Sequence, residues 1–241
     1  MDARVALQPA YVLHATPFQN SSLIVDLFTL DYGRVRAVSK GARGAKSRTR
    51  SLLQPFQPLL VSLSGRSELK TLTAVEAMHE ALRLEATRLY SGLYVNELLT
   101  RLLQNQEEHR TLYGAYRDTL VALRGSAPVE TVLRHFELSL LAELGYGINL
   151  EHEADSRSAL VGDRCYRFDP QQGFYAIAAL ESSEDFSGRD LIALREGRFD
   201  GAEAARAAKR LTRLALNAQL GPRPLNSRSL FVSLKGKRFE D

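Results

Sequence analysis

The stretch Asp31-Tyr32-Gly33-Arg34-Val35-Arg36-Ala37-Val38-Ser39-Lys40 decides how the first third of the chain folds. From Arg34 to Ser39 polar and apolar residues alternate with a period of two, the pattern of a half-buried strand. Asp31-Tyr32-Gly33 is a three-residue hairpin connection with glycine where positive φ is needed. Leu23 to Phe28 precedes that turn as a second strand, and Val5 to Ala15 precedes it as a first. Pro58 to Ser64 and Leu69 to Val75 alternate again across Gly65-Arg66-Ser67. A gap of about fifteen residues, Lys40 to Gln54, separates the third strand from the fourth. Three strands, an insertion and two more strands is the order of a small five-stranded OB barrel. A Sm-like or SH3-like barrel has a similar strand count.

The same stretch begins a run of charge. Arg34, Arg36, Lys40, Arg43, Lys46, Arg48 and Arg50 place seven cations in seventeen residues with no acid among them. Like charges this dense repel one another unless an anion arrives. Arg34 and Arg36 project from one strand face, while Val35 and Val38 can turn inward. Gly41, Ala42, Gly44, Ala45, Ser47 and Thr49 make the remainder a flexible loop able to follow a phosphate backbone. Arg66, in the last hairpin turn, joins these residues as a candidate nucleic-acid contact. Phe18, Tyr32 and Phe56 lie near strand ends, where either base stacking or core packing suits them. With no Trp and 8% aromatic residues, backbone electrostatics should dominate over base-by-base readout.

Charge is also segregated along the whole chain. Residues 1–80 carry ten basic and six acidic residues, residues 81–205 thirteen and twenty, and residues 206–241 nine and two. That distribution, with a pI of 9.3, suggests polyanion binding at defined places.

After Glu76 the period becomes helical. Residues 84–103, about 107–123, and the segment after Gly125-Ser126-Ala127-Pro128 read as three helices, with Ser126 as a cap and Pro128 in the first turn. The period disappears over about 148–184, where Cys165 to Phe168 and Phe174 to Ile177 form a hairpin. Helices resume at Ser187, an N-cap residue, and again over 202–220. A short helix after Ser227 and a basic tail end the chain. In the helix over 202–220, Arg206, Lys209, Arg210 and Arg213 fall within an arc of about 100°, with Ala207, Leu211, Leu214, Ala215 and Ala218 opposite. The expected fold is α+β: an OB barrel over residues 1–80, then a mostly α-helical domain over 81–241 with the inserted non-helical segment.

Several chemistries are disfavoured. Gly41-Ala42-Arg43-Gly44-Ala45-Lys46-Ser47 lacks the glycine directly before lysine that a phosphate-binding P-loop needs. The five histidines share no metal-ligand spacing, and no nucleophile motif is present. Glu151-His152-Glu153 reads as a solvated loop, and Glu181, Glu184 and Asp185 as solvent-facing charge. Cys165, the one cysteine, reads as a half-buried strand residue. No apolar stretch approaches the roughly 18 residues of a membrane span, and the N-terminus lacks a signal peptide's apolar region, so a cytoplasmic, non-enzymatic binding protein is expected.

A family resemblance narrows these readings. Tyr11-Val12-Leu13-His14, Tyr32 to Arg43, Leu53-Gln54-Pro55-Phe56, Tyr94-Val95-Asn96-Glu97-Leu98-Leu99, Leu133-Arg134-His135-Phe136-Glu137 and Leu144-Gly145-Tyr146-Gly147 stand in order across the chain. In these it resembles the bacterial recombination mediator RecO over essentially its whole length. The resemblance implies an N-terminal OB fold and a helical domain, binding of single- and double-stranded DNA, and annealing of complementary strands coated with single-strand-binding protein, SSB. It further implies that RecR is a partner in loading RecA within the RecF pathway, near the nucleoid. The acidic, apolar C-terminal tail of SSB would dock on the helical domain, with Arg134 and Leu133 as the first candidates and Lys209 and Arg213 next. Many relatives carry four cysteines as a zinc site after the Leu-Gly-Tyr segment. Here only Cys165 is present, so no zinc and no other cofactor is expected. An RNA-binding OB protein is the alternative that uses the same basic loop.

Overall fold

The computed structural model describes residues 4–44, 47–199 and 201–227. Strand β1 (Arg4–Phe18) pairs antiparallel with β2 (Ser22–Thr29), and β2 pairs antiparallel with β3 (Gly33–Ser39). β4 (Leu59–Ser64) runs antiparallel to both β5 (Lys70–Ala77) and β1. β3 meets β5 in parallel at Ala37↔Lys70 and Val38↔Thr71, which closes a barrel in the order β1-β2-β3-β5-β4. This is the expected OB order. The connection read as a loop contains a short helix, α1 (Arg48–Leu52).

The barrel interior holds Val12, Val25, Leu27, Val35, Ala37, Leu59, Val61 and Leu63. One inward assignment needs correcting: Val35 and Ala37 face the core, whereas Val38 is half-buried on the outer face with Arg34 and Arg36. Residues two apart on a strand share a face, so Val38 follows the arginines. Gly33 has φ +57°, as the hairpin requires.

Helices α2 (Ala86–Leu102) and α3 (Arg110–Arg124) belong to the same compact unit as the barrel, Met1–Ser126, which also takes in the chain from Pro224. Tyr113 and Tyr116 of α3 lie against Tyr11 and Phe28 on the outer barrel face, with ring centroids 5.1–5.8 Å apart. A bulge between Val12 and His14 disturbs the β1 ladder. There the buried amide of Asn96 donates to the carbonyls of Val12 (3.4 Å) and Leu13 (3.1 Å) and accepts from the Tyr116 hydroxyl (2.8 Å). Phe56 is core, since its ring lies so close to Gly92 that a Cβ there would meet it at 2.7 Å. Tyr32 packs against the barrel core, and Phe18 is half-exposed. After α6 the chain returns to α2, where the Glu97 carboxylate accepts the backbone N–H groups of Asn226 and Ser227, both at 2.8 Å.

The second unit, Ala127–Arg223, contains α4 (Val129–Glu143), the sheet β7-β6-β8, α5 (Gly188–Arg195) and α6 (Ala202–Leu220). β6 (Cys165–Asp169) and β7 (Gly173–Ile177) form the expected hairpin, and β8 (Phe186–Ser187) adds a short third strand. Tyr166, Phe174, Phe186, Leu191, Ala207 and Leu211 make its core. Ser187 caps α5 by accepting from the Asp190 N–H, as its position predicts. Cys165 is half-buried on β6.

Four local readings are overturned here. Pro128 rather than Ser126 holds the N-cap of α4. Ala218, placed on the packed side of α6, is exposed. Asp185 is buried, not solvent-facing: it accepts the backbone N–H groups of Glu181 and Ser182 and pairs with Arg167. Glu153 is buried too, accepting from Ser156 and Arg164. Both acids have found donors, which repays the desolvation that would otherwise keep them in water. The helix expected after Ser227 and the basic tail lie outside the described residues.

Candidate nucleic-acid interface

The cations of the basic run divide into one that is engaged internally and several that are not. Arg34 is the engaged one: its Nε and Nη2 donate to Asp26 Oδ1 at 2.9 and 2.7 Å, and its side chain is 19% exposed. The Arg34 carbonyl accepts from the Gln106 N–H at 2.7 Å, which ties β3 to the α2–α3 connection. Arg36 stands directly opposite Asp26 in the β2–β3 ladder, 3.8 Å from the same oxygen and 45% exposed. The charge run was therefore free of acids only along the chain. Its register supplies one from the neighbouring strand, and the hairpin turn fixes that register once the turn's length is known.

The other cations face solvent. Lys40 is exposed at the end of β3. Arg43 is exposed and latched to the β1–β2 turn, its N–H donating to the Ser21 carbonyl at 2.8 Å and its Nη1 to the Gln19 carbonyl at 3.1 Å. Arg48 and Arg50 are exposed on α1, and Arg66 is exposed in the β4–β5 turn. Lys40, Arg43, Arg48, Arg50 and Arg66 form no ion pair with any described residue. Lys46 lies outside the described residues.

The residues considered for a partner's tail are on α4 and α6. Arg134 is buried, its side chain 9% exposed, and donates through Nη2 to Glu137 within the same helix. Its Nε is buried without an acceptor. Leu133 is buried beside it. Lys209, on α6, reaches Glu130 of α4 at 2.9 Å in an exposed pair, and Arg206 and Arg213 are exposed on the same helix. Arg210 is drawn inward from that stripe: its guanidinium lies 4.9 Å over the Phe186 ring and donates to the Asp185 carbonyl. Among the described residues no three His, Cys, Asp or Glu side chains are gathered as metal ligands, and no helix is long and apolar enough to cross a membrane.

Comparison with known proteins fits this architecture. Residues 1–81 match the sequence model of the family described as recombination protein O N terminal, and residues 83–229 match that described as recombination protein O C terminal. The DNA repair protein RecO of Salmonella dublin is 45% identical over 232 residues, 96% of each chain. The protein of the same name from Yersinia pestis (strain Pestoides F) is 47% identical over 225 residues, 93% of each chain.

Proposed function

The chain belongs to the recombination protein O (RecO) family, and on that premise we propose that it serves DNA repair and recombination by binding DNA rather than by making or breaking bonds. The observation that carries this reading is the set of exposed cations on an OB barrel with no internal ion-pair partner: Lys40, Arg43, Arg48, Arg50 and Arg66, with Arg36 beside them. Unpaired charge held on a folded scaffold is poised to neutralise phosphates, and each contact releases condensed counterions. Neutralising two strands at once lowers their mutual repulsion, so complementary bases can meet. The protein thereby anneals strands coated with SSB and, with RecR, assists the loading of RecA.

Replacing Arg36, Lys40, Arg43 and Arg48 by Ala is expected to weaken binding to all sequences alike. Each lost phosphate contact should flatten the log–log salt dependence by about 0.7 on single strands. Unchanged affinity at low salt overturns the assignment. Annealing of SSB-coated complementary oligonucleotides by pure protein, without added nucleotide, tests the mediator role. Preference for structured RNA over single-stranded DNA in competition would instead indicate an RNA-binding protein.

A further inference from the structure

The outward face of β1, β2 and β3 falls into two halves. Near the β2–β3 turn it is occupied: Tyr11 and Phe28 lie beneath Tyr113 and Tyr116 and are buried. Toward the other end the same face is open. The ladder sets Thr16 opposite Ile24 and Ile24 opposite Val38, so these three form one row across three strands, roughly 4.8 Å apart. Phe18, opposite Ser22, is the outward residue after Thr16 on β1. Ile24, Val38 and Phe18 are half-exposed, and Thr16 is exposed.

Cations border this apolar row. Arg36 precedes Val38 by two residues and Lys40 follows it by two, and both are exposed. Same-face residues on a strand repeat at roughly 6.7 Å. Arg43 is latched to the turn that follows Phe18 through the Ser21 and Gln19 carbonyls.

We propose that this half-face holds the unpaired bases of a nucleic-acid strand, which makes the barrel selective for single strands over duplex. The inference rests on the nucleic-acid reading above and sharpens it. Phosphates account for the cations but not for exposed Ile24, Val38 and Phe18, which gain nothing from an anion. A duplex presents its phosphates and keeps its bases stacked inside. A single strand offers both, and apolar contact with base faces tolerates any sequence. An acidic, apolar peptide has related chemistry. The cations, however, continue past the apolar row through Arg43, Arg48 and Arg50, and a run of that kind needs anions repeated along a chain, as a strand supplies them.

The test uses the full-length protein with an oligothymidylate, an abasic strand of the same length and a duplex. Wild-type protein should bind oligothymidylate about tenfold more tightly than the abasic strand, within the range of one stacked base. The variant Phe18→Ala/Ile24→Thr/Val38→Thr should remove that difference and leave abasic binding, duplex binding and the salt slope unchanged. β-Branched replacements keep the strands, and thermal unfolding reports whether the barrel is intact. If the variant does not fold, the wild-type ratio alone decides. A ratio near one overturns the base-contact proposal while leaving the cation reading standing. Failure to bind any of the three probes removes both. Loss of acidic-peptide binding with the base ratio intact would make this face a protein site and also overturn the proposal.

Discussion

One oxygen of Asp26 accepts two hydrogen bonds from Arg34, at 2.9 Å from Nε and 2.7 Å from Nη2. Both side chains are mostly buried, 9% and 19% exposed, so this pair is part of the barrel's frame. Arg34→Ala is expected to cost about 2 kcal/mol of stability, because Asp26 loses its two best donors. It should change the salt slope of DNA binding less than Arg36→Ala does. Urea unfolding and salt titrations of both variants check this. A fully stable Arg34→Ala protein with the larger slope change would refute it.

That pairing also shows where the sequence was readable. The barrel was legible because its strands alternate with a period of two and the glycine of Asp31-Tyr32-Gly33 marks the turn. Helices α2 to α6 were legible from apolar spacing, and Ser187 from capping chemistry. What escaped is long-range. Asp26 neutralises a residue eight positions away, and Asn96 bonds to a bulge in β1 more than eighty residues earlier. Asp185 and Glu153 look like surface charge until the fold brings Arg167 and Arg164 to them. Of the candidate site, the cations were visible as composition. Which of them were already paired depended on register. The apolar row Thr16–Ile24–Val38 needed three strands aligned, with the β1 bulge resetting which side chains face outward.

Asp185 supplies a pH signature. The Arg167 guanidinium (Nε at 3.0 Å) and then the Glu181 and Ser182 N–H groups hold its carboxyl well below the usual carboxylate range. In the unfolded chain it titrates near an ordinary value of about 3.9. At neutral pH it is ionised in both states and its stabilisation is complete. As pH falls below about 4 the unfolded chain takes up the proton first, so stability is lost toward the depressed folded value. Asp185→Asn should be less stable at pH 7 and lose less on acidification. Urea midpoints recorded from about pH 5 downward test this. Parallel curves for the two proteins would sink the idea.

Arg134 and Lys209 should differ as partner contacts. Arg134 has a buried Nε without an acceptor, one donor to offer a carboxylate, whereas Lys209 is exposed and already paired with Glu130. If the tail of SSB binds on this unit, Arg134→Ala should weaken capture of an acidic, apolar tail peptide by about tenfold, the scale of one charge-assisted hydrogen bond. Lys209→Ala should have a smaller effect, since exposed pairs contribute little. Peptide anisotropy alongside binding to bare oligonucleotide separates the sites. Equal losses of peptide and DNA binding in Arg134→Ala argue against separate sites.

Gly33 is constrained twice. Its φ of +57° suits glycine, and a Cβ there would lie 1.7 Å from the Glu107 carbonyl oxygen. The first constraint alone costs a substituted residue roughly 1–2 kcal/mol. The second cannot be met by a side-chain shift, because the obstacle is backbone. The segment around Glu107 must withdraw, which breaks the 2.7 Å bond from the Gln106 N–H to the Arg34 carbonyl. Gly33→Ala is therefore expected to cost more than about 2 kcal/mol, the conformational cost plus one hydrogen bond. Gly33→Asn discriminates between the two causes: asparagine tolerates positive φ, so it restores stability if φ is the whole problem and fails if Glu107 is. Both variants are expected to be destabilised, with Asn no better than Ala. Recovery of wild-type unfolding midpoints in Gly33→Asn would show that the approach to Glu107 carries no cost.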